Sequence, residues 1–363
     1  MVSKACYLAA YRQKLAEMAA LSRIDLTLVV PPYWRMGKRR ALLEEGPADG
    51  YKMVMENPVF NGRFHLHFYP QLPGLMSRVR PELVHIDEEP YDLVTFHALR
   101  AACRRGMKLV FFTWQNLWRA LPPPFGMMER YTLGRAHGAI AGSAQAADIL
   151  RRKGYAGRLA IIPQFGVDPE VFRPVQDGAP PRPFTVGFAG RLVREKGLLV
   201  LLEALAGMEG DWRLVLVGEG PLRGELEEEA GRLRVRPRLK FLGAAPSGEM
   251  AARYAEMDVL ALPSLTVPRW KEQFGRVLVE AMSCQVPVVG SDSGEIPQVM
   301  GEAGLVCPEG DAAGLRSALA RLMENPGLRR ELGRLGRERV LSMYTHRKVA
   351  ADTVEFYEKV LAG

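Results

Sequence analysis

Trp270-Lys271-Glu272-Gln273-Phe274-Gly275-Arg276-Val277-Leu278-Val279-Glu280-Ala281-Met282 follows an apolar run, Val259 to Leu262, and a Pro-containing loop. The run reads as a buried strand. The stretch itself opens a helix, expected from Gln273 to Cys284. It carries two glutamates on either side of a Phe-Gly step. The residues Phe274, Gly275, Arg276 and Val277 would present free backbone N–H groups at the helix N-terminus, where anions bind. At 1.5 Å rise per residue, Glu272 and Glu280 would lie roughly 12 Å apart along the axis. That separation suits a nucleotide diphosphate sugar, with one carboxylate on sugar hydroxyls and the other on the ribose diol. The plain alternative is two surface glutamates, one favouring the helix dipole. Against it, Glu280 sits among Val277, Leu278, Val279, Ala281 and Met282, where an ionised carboxylate needs a partner.

Outward from this stretch, short apolar strands alternate with helices. In the second half, strands fit Phe184 to Ala189, Arg213 to Val217, Leu239 to Leu242, Val259 to Leu262, Val286 to Val289 and Leu305 to Val306. Helices fit Gly197 to Ala206, Leu222 to Leu233, Gly248 to Ala255, Gln273 to Cys284, Ala312 to Met323, Gly327 to Met343 and His346 to Leu361. The first half repeats the pattern. Strands are expected at residues 24 to 30, Met53 to Met55, His65 to Tyr69, Leu83 to Ile86, Lys108 to Phe112, Ala139 to Ala141 and Leu159 to Ile162. Helices are expected at Tyr11 to Leu21, Tyr91 to Arg104, Phe125 to Leu133 and Ala144 to Lys153, the last capped by Ser143. Such alternation marks parallel sheets covered on both faces. The Pro-rich segment from Pro174 to Pro183 reads as a linker. The chain is therefore two doubly wound α/β domains, with the cleft between them as the expected site. One oddity stands at the start. A strand should precede the helix at Tyr11, yet only Met1-Val2-Ser3 is available, so the first strand is a stub or missing.

The 363 residues suffice for two cores, and 48% hydrophobic with 25% charged is an ordinary globular composition. The four cysteines, Cys6, Cys103, Cys284 and Cys307, have no metal-like spacing and read as reduced thiols in a cytoplasmic setting. No apolar run approaches the ~20 residues of a membrane span. The net charge of +8 comes from dispersed Arg and reads as solvated faces, so no nucleic-acid partner is expected. Trp34 to Arg40, with Arg35, Lys38, Arg39 and Arg40, reads as an exposed basic loop. The alternative is a peripheral contact with an anionic membrane face or a lipid-diphosphate acceptor.

A second constellation is Gly187-Phe188-Ala189-Gly190-Arg191-Leu192-Val193-Arg194-Glu195-Lys196-Gly197. A buried strand runs into a turn where Gly190 lets backbone approach a ligand. Arg191 offers a fork of donors and Lys196 a mobile charge, and two cations beside a glycine turn suit a diphosphate. In isolation, a tight turn with solvated cations explains it as well.

Gly190-Arg191, Glu195-Lys196-Gly197, Val217-Gly218-Glu219-Gly220-Pro221, Phe241-Leu242-Gly243, Glu272-Gln273-Phe274-Gly275, Glu280-Ala281-Met282, Pro287-Val288-Val289-Gly290-Ser291 and Gly294-Glu295-Ile296-Pro297 follow in this order. The ordered set resembles a retaining glycosyltransferase of family four, whose architecture of two Rossmann-like domains is called GT-B. The resemblance covers nearly all of the second half. It implies that Arg191 and Lys196 neutralise the donor diphosphate, Glu280 binds the ribose and Glu272 the donor sugar. Backbone around Gly190, Phe274, Gly275, Arg276 and Val277 would hold sugar and phosphate, and Ala245 would lie near the base. Such enzymes generally need no metal or other cofactor. The donor would be a UDP-, GDP- or ADP-sugar and the acceptor a sugar or lipid-linked sugar in polysaccharide or glycolipid assembly. The implied domains are 1–175 on the acceptor side, a linker 176–183, a donor-binding domain 184–345, and a helix 346–363 crossing back to the first domain. An epimerase of the same architecture, or an inactive partner subunit, is the rival reading.

The first half resembles the family less. Members usually carry a Gly-Gly loop after the first strand, where this chain has Ala5-Cys6-Tyr7-Leu8-Ala9-Ala10. If the first strand is absent, reduced stability or activity is expected. Val84-His85-Ile86-Asp87-Glu88-Glu89-Pro90 resembles the strand-end His-Glu-Pro segment of related mannosyltransferases, with Glu88 where they have His. Glu88 and Glu89 are candidates for orienting the acceptor or accepting its proton, a solvated acidic turn being the alternative. Trp114 and Gln115 end a strand and are acceptor-side candidates, unless Trp114 simply caps the core. Asn61 is a further one. His85 is expected to pack along its strand.

Overall fold

Aliphatic and β-branched runs flanked by Gly, Pro and Ser form the central strands, which are buried because helices return along either side of each parallel sheet, while edge strands are partly exposed. The computed structural model describes every residue except Ser22, Lys38, Pro47 and residues 175–181. Most of the expected linker, 176–183, thus lies outside the described residues. The chain divides into Met1–Gly166 with His346–Gly363, and Val167–Thr345. Residues 167–174, expected in the first domain, group with the second unit: Val167 N donates to Tyr344 O, and Phe172 joins that unit's core.

In the first unit the strands are β1 (Thr27–Val30), β2 (Tyr33–Met36), β3 (Arg39–Leu42), β4 (Lys52–Met55), β5 (Leu83–Ile86), β6 (Lys108–Thr113), β7 (Gly138–Ala141) and β8 (Arg158–Ile161). The helices are α1 (Ala9–Ala20), α2 (Leu72–Val79), α3 (Leu93–Cys103), α4 (Phe125–Leu133) and α5 (Ala144–Arg152). β4 pairs with β1 in parallel, and β5 to β8 pair in order, also in parallel. Between β1 and β5 lies Val2, which bridges Val29 on one side and Ile86 on the other. Backbone bonds tie this segment to both neighbours: Val2 N donates to His85 O, Asp87 N to Val2 O, and Ser3 N to Val29 O.

The C-terminal helix, His346–Leu361, belongs to this unit. Val349, Ala350, Val354, Phe356, Tyr357 and Val360 share a core with Leu15, Leu28, Val110 and Ile140. Lys108 Nζ caps the helix end by donating to the carbonyls of Val360 and Leu361 at 2.9 and 3.1 Å. His85 is buried as expected, and its ring meets the Tyr357 hydroxyl.

Two expectations need correction here, and one helix is added to those expected. The Trp34 to Arg40 segment is not a loop: Tyr33–Met36 and Arg39–Leu42 pair as the antiparallel strands β2 and β3. Trp34 is only 2% exposed, so it offers no surface to a membrane. His65 to Tyr69 is not a strand. The chain turns there, with one bridge between Val59 and Phe68. Finally, α2 was not anticipated: with Pro73 and Gly74 in its first turn, its eight residues carry too little period to read.

In the second unit the strands are β9 (Phe184–Ala189), β10 (Trp212–Val217), β11 (Leu239–Gly243), β12 (Val259–Leu262), β13 (Val288–Ser291) and β14 (Gly304–Cys307). The helices are α6 (Leu198–Ala206), α7 (Arg223–Arg232), α8 (Met250–Ala255), α9 (Arg276–Ser283), α10 (Ile296–Met300), α11 (Ala312–Glu324) and α12 (Pro326–Met343). All six strands are parallel, in the order β11-β10-β9-β12-β13-β14. Winding reverses between β9 and β12, so the loops leaving those two strands diverge and open a crevice at their carboxyl ends.

Candidate functional site

The loop leaving β9 carries Gly190 to Gly197, and the loop leaving β12 carries Ser264 to Gly275. Gly197 brings these two loops together, and Gly190 with Gly218 holds the first of them against the loop leaving β10. Gly190 and Gly218 both have φ of +143°, and a Cβ on Gly218 would stand 1.9 Å from Gly190 O. Gly197 has φ of +69°, and a Cβ there would stand 1.8 Å from Pro263 O. Only glycine allows this approach, and it sets the residue before it, Lys196, beside the end of β12.

Lys196 Nζ donates to Glu272 Oε2 at 2.6 Å and lies over the Trp270 ring, 4.9 Å from its centre. Ser264 Oγ donates to the same oxygen at 2.9 Å. The backbone of Glu272 is also fixed, since its carbonyl accepts from Glu295 N at 3.2 Å and abuts Gly294. Glu272 is therefore a buried carboxylate with a cation and a hydroxyl on one oxygen.

Glu280 is held by different partners. Tyr254 Oη, from α8, donates to Oε2 at 2.7 Å, and Arg276 Nε lies 2.7 Å from Oε1. The partner demanded by its apolar surroundings is thus present. Burial and the adjacent Glu280 push the Tyr254 hydroxyl well above its ordinary pKa, so it remains a donor. α9 begins at Arg276 rather than Gln273, with Gly275 at φ +75° before it. Glu272 therefore lies outside the helix, and the axial spacing inferred for the pair does not apply. Phe274 is half-buried, its ring 5.6 Å from that of Tyr344. Val277 packs on the core from the first turn of α9, and Ala245 does so from the loop after β11. Arg191 is exposed beside Gly190.

In the first unit, the segment after β5 is a buried charged cluster rather than a solvated turn. Glu88 Oε1 accepts from Lys4 N at 3.1 Å, and its other oxygen contacts Lys4 Nζ. His67 Nε2 stands 3.9 Å from Glu88. Burial pulls the Lys4 ammonium down, but Glu88 and Asp92 outweigh it and leave its pKa raised. Burial pushes Glu89 up to about 7 and Asp87 up to about 6. Glu89 accepts from Thr113 Oγ1 at 2.5 Å and Trp114 N at 2.9 Å, and Asp87 from Ser3 Oγ at 2.7 Å.

The other acceptor-side candidates are bonded into this unit's own frame. Asn61 joins the hairpin, accepting from Arg35 N and donating to Tyr33 O, both at 2.9 Å. Trp114 Nε1 donates to Gln164 Oε1, and Gln115 Oε1 accepts from Lys153 Nζ, both at 2.9 Å. Five residues of the cluster were not singled out from sequence: Lys4, His65, His67, Asp87 and Asp92. The available signal was the density of titratable residues in His65-Leu66-His67 and Asp87-Glu88-Glu89, separated by a stretch that the fold closes.

Residues 13–171 match the family described as Glycosyltransferase Family 4, and residues 173–339 match Glycosyl transferases group 1. The phosphatidyl-myo-inositol mannosyltransferase of Mycobacterium leprae is 36% identical over 305 residues, spanning 79% of this chain and 78% of that protein. An MMP alpha-(1->4)-mannosyltransferase from Mycolicibacterium hassiacum is 33% identical over 226 residues, and the match spans 61% of this chain and 53% of that protein. Among solved structures, sucrose-phosphate synthase from Thermosynechococcus elongatus superposes with a TM-score of 0.70 at 22% identity, covering 97% of this chain and 93% of that one. HepE from Anabaena, solved in complex with UDP, gives 0.70 at 19% identity and 96% coverage of each chain. At such identities the likeness speaks to the fold.

Proposed function

Because this chain belongs to the group 1, family-four glycosyltransferases and has the GT-B fold, we propose that it moves a hexosyl group from a nucleotide diphosphate sugar to a hydroxyl, with retention at the anomeric carbon. The observation that carries the reading is the meeting of Lys196 and Glu272 at the β9/β12 reversal, with Glu280 held by Tyr254 and Arg276 on the helix that follows. A cation, a glycine turn and two fixed carboxylates at one strand end can bind a diphosphate, a sugar and a ribose together.

In this reading Arg191 and Lys196 stabilise the leaving diphosphate without a metal. Glu272 takes the sugar hydroxyls, Glu280 the ribose diol, and amides from Phe274 to Val277 the sugar and phosphate. Lys196 is shared between Glu272 and the incoming diphosphate. The diphosphate stays on the face it leaves from and takes the proton of the attacking hydroxyl. The new C–O bond therefore forms on the side where the old one breaks. On the acceptor side, Glu88 and Glu89 orient a sugar or lipid-linked sugar for polysaccharide or glycolipid assembly.

The test is a thermal-shift panel of UDP-, GDP- and ADP-sugars with Glu280→Ala as control. One donor should stabilise the wild type and not the variant. No stabilisation by any of them would refute the donor site. Incubation with that donor and an alcohol, followed by assignment of the product's anomeric configuration, tests transfer and retention.

A further inference from the structure

The segment before α2 carries two histidines with opposite settings. His67 is buried, its Nδ1 tied to Phe64 O at 2.8 Å. His65 is 54% exposed at its side chain, while its partner Asp92 is 2% exposed. His65 Nδ1 stands 2.7 Å from Asp92 Oδ1. An ionised carboxylate only accepts, so Nδ1 carries the hydrogen and the neutral ring presents Nε2 as an acceptor.

The backbone holds this pair rigidly. Asp92 is the N-cap residue of α3, and Leu93 N donates to His65 O at 3.1 Å. The helix start and the histidine segment are thereby joined twice. Two rings stand beside the imidazole: Tyr91 at 5.4 Å and Phe125 at 6.2 Å between centres. A polar acceptor beside aromatic rings suits a sugar, whose C–H faces lie on rings while its hydroxyls need partners.

We propose that His65 forms a hydroxyl-recognition subsite for a polyhydroxylated acceptor: Nε2 accepts a hydrogen bond from an acceptor hydroxyl, Asp92 positions the ring, and Tyr91 and Phe125 bound the subsite. The assignment rests on the glycosyl-transfer reading and adds the residue that selects a polyol. His65 takes no proton from the attacking hydroxyl.

The charged and titratable groups facing His65 are Asp92, Lys4 and Glu89, with Tyr91 beside it. The Asp92 hydrogen bond, with the charges of Asp92 and Glu89, leaves the His65 pKa raised above its ordinary value although burial and Lys4 oppose it. A hydroxyl that donates to Nε2 binds only the neutral ring. Binding must therefore lower the titration midpoint of His65.

The experiment uses the full chain with isotope-labelled histidine, the His65 resonance being assigned by its loss in His65→Gln. It is titrated with UDP present, with and without D-mannose, D-glucose or myo-inositol as probes. At least one probe should move the resonance and lower its midpoint. Asp92→Asn should lower the midpoint without sugar, and Tyr91→Ala should abolish the sugar effect while His65 still titrates. His65→Gln, which alters a half-exposed ring, should raise KM for the best probe about tenfold, the scale of one lost hydrogen bond, and change kcat less. An unmoved His65 with all three probes, or a raised midpoint, overturns the assignment. Stabilisation by a donor sugar on the same samples, with His65 silent, sinks this subsite alone. Absence of any donor stabilisation sinks the donor reading instead.

Discussion

Tyr254 and Glu280 lie on different helices, and the tyrosine hydroxyl donates to the carboxylate at 2.7 Å with both side chains buried. The bond fixes the carboxylate while its other oxygen faces Arg276. Tyr254→Phe removes the donor and leaves the acceptor buried, so a stability loss of about 1–3 kcal/mol is expected by urea unfolding. Donor affinity should weaken as well, because Glu280 is free to rotate. Donor binding unchanged in Tyr254→Phe would show that the tyrosine is only structural.

The Lys196–Glu272 pair predicts a separation of stability from activity. Lys196→Met strands a buried carboxylate, at a cost of roughly 2 kcal/mol after discounting for the partial exposure of the lysine. Adding Glu272→Gln should restore most of the melting temperature, since the unpaired charge is gone. Transfer should stay at least ~100-fold down in both variants, because each lacks groups proposed to contact the donor.

Gly197 and Gly224 give a matched pair of substitutions. Gly197→Ala meets Pro263 O and a φ of +69°, and should cost more than ~2 kcal/mol while displacing Lys196. Gly224, inside α7, has nothing within 4 Å of a built Cβ. Gly224→Ala should stabilise by up to ~1 kcal/mol. Melting curves of the two variants check both signs.

Glu89 makes stability depend on pH. Burial lifts its folded pKa from 4.5 to about 7. The folded state therefore holds a proton that the unfolded chain has already lost across this window. The contribution to stability is full below 4.5 and is lost as pH rises through about 7. Glu89→Gln should flatten this part of the profile in melting temperature against pH. An unchanged slope would mean that Glu89 is ionised in the fold across the window.

Much of this arrangement can be read before folding. The six strands of the second unit lie within a few residues of expectation, because each is an apolar run bounded by Gly or Pro. The need of Glu280 for a partner was legible from its neighbours. The identity of that partner was not, since Tyr254 precedes it by 26 residues and nothing local marks it. The Lys196–Glu272 contact was hidden for the same reason: it depends on Gly197 passing Pro263, a tertiary approach. In the first unit, four-residue strands such as β2 and β3 fall below the length at which alternation can be recognised. The Lys4–Glu88 and His65–Asp92 pairs join segments distant in the chain that only the folded unit brings together.

The C-terminal helix has a consequence for synthesis. The chain leaves the first unit at Gly166 and re-enters it at His346. Phe356, Tyr357 and Val360 are core residues of that unit, beside Val110 and Ile140. During translation the second unit is complete before these residues are made, while the first, begun earlier, still exposes an apolar face. The unit that starts first is finished last, so a nascent chain stalled before His346 should recruit chaperones and be cut by protease within residues 1–166, and release of the last helix should end both.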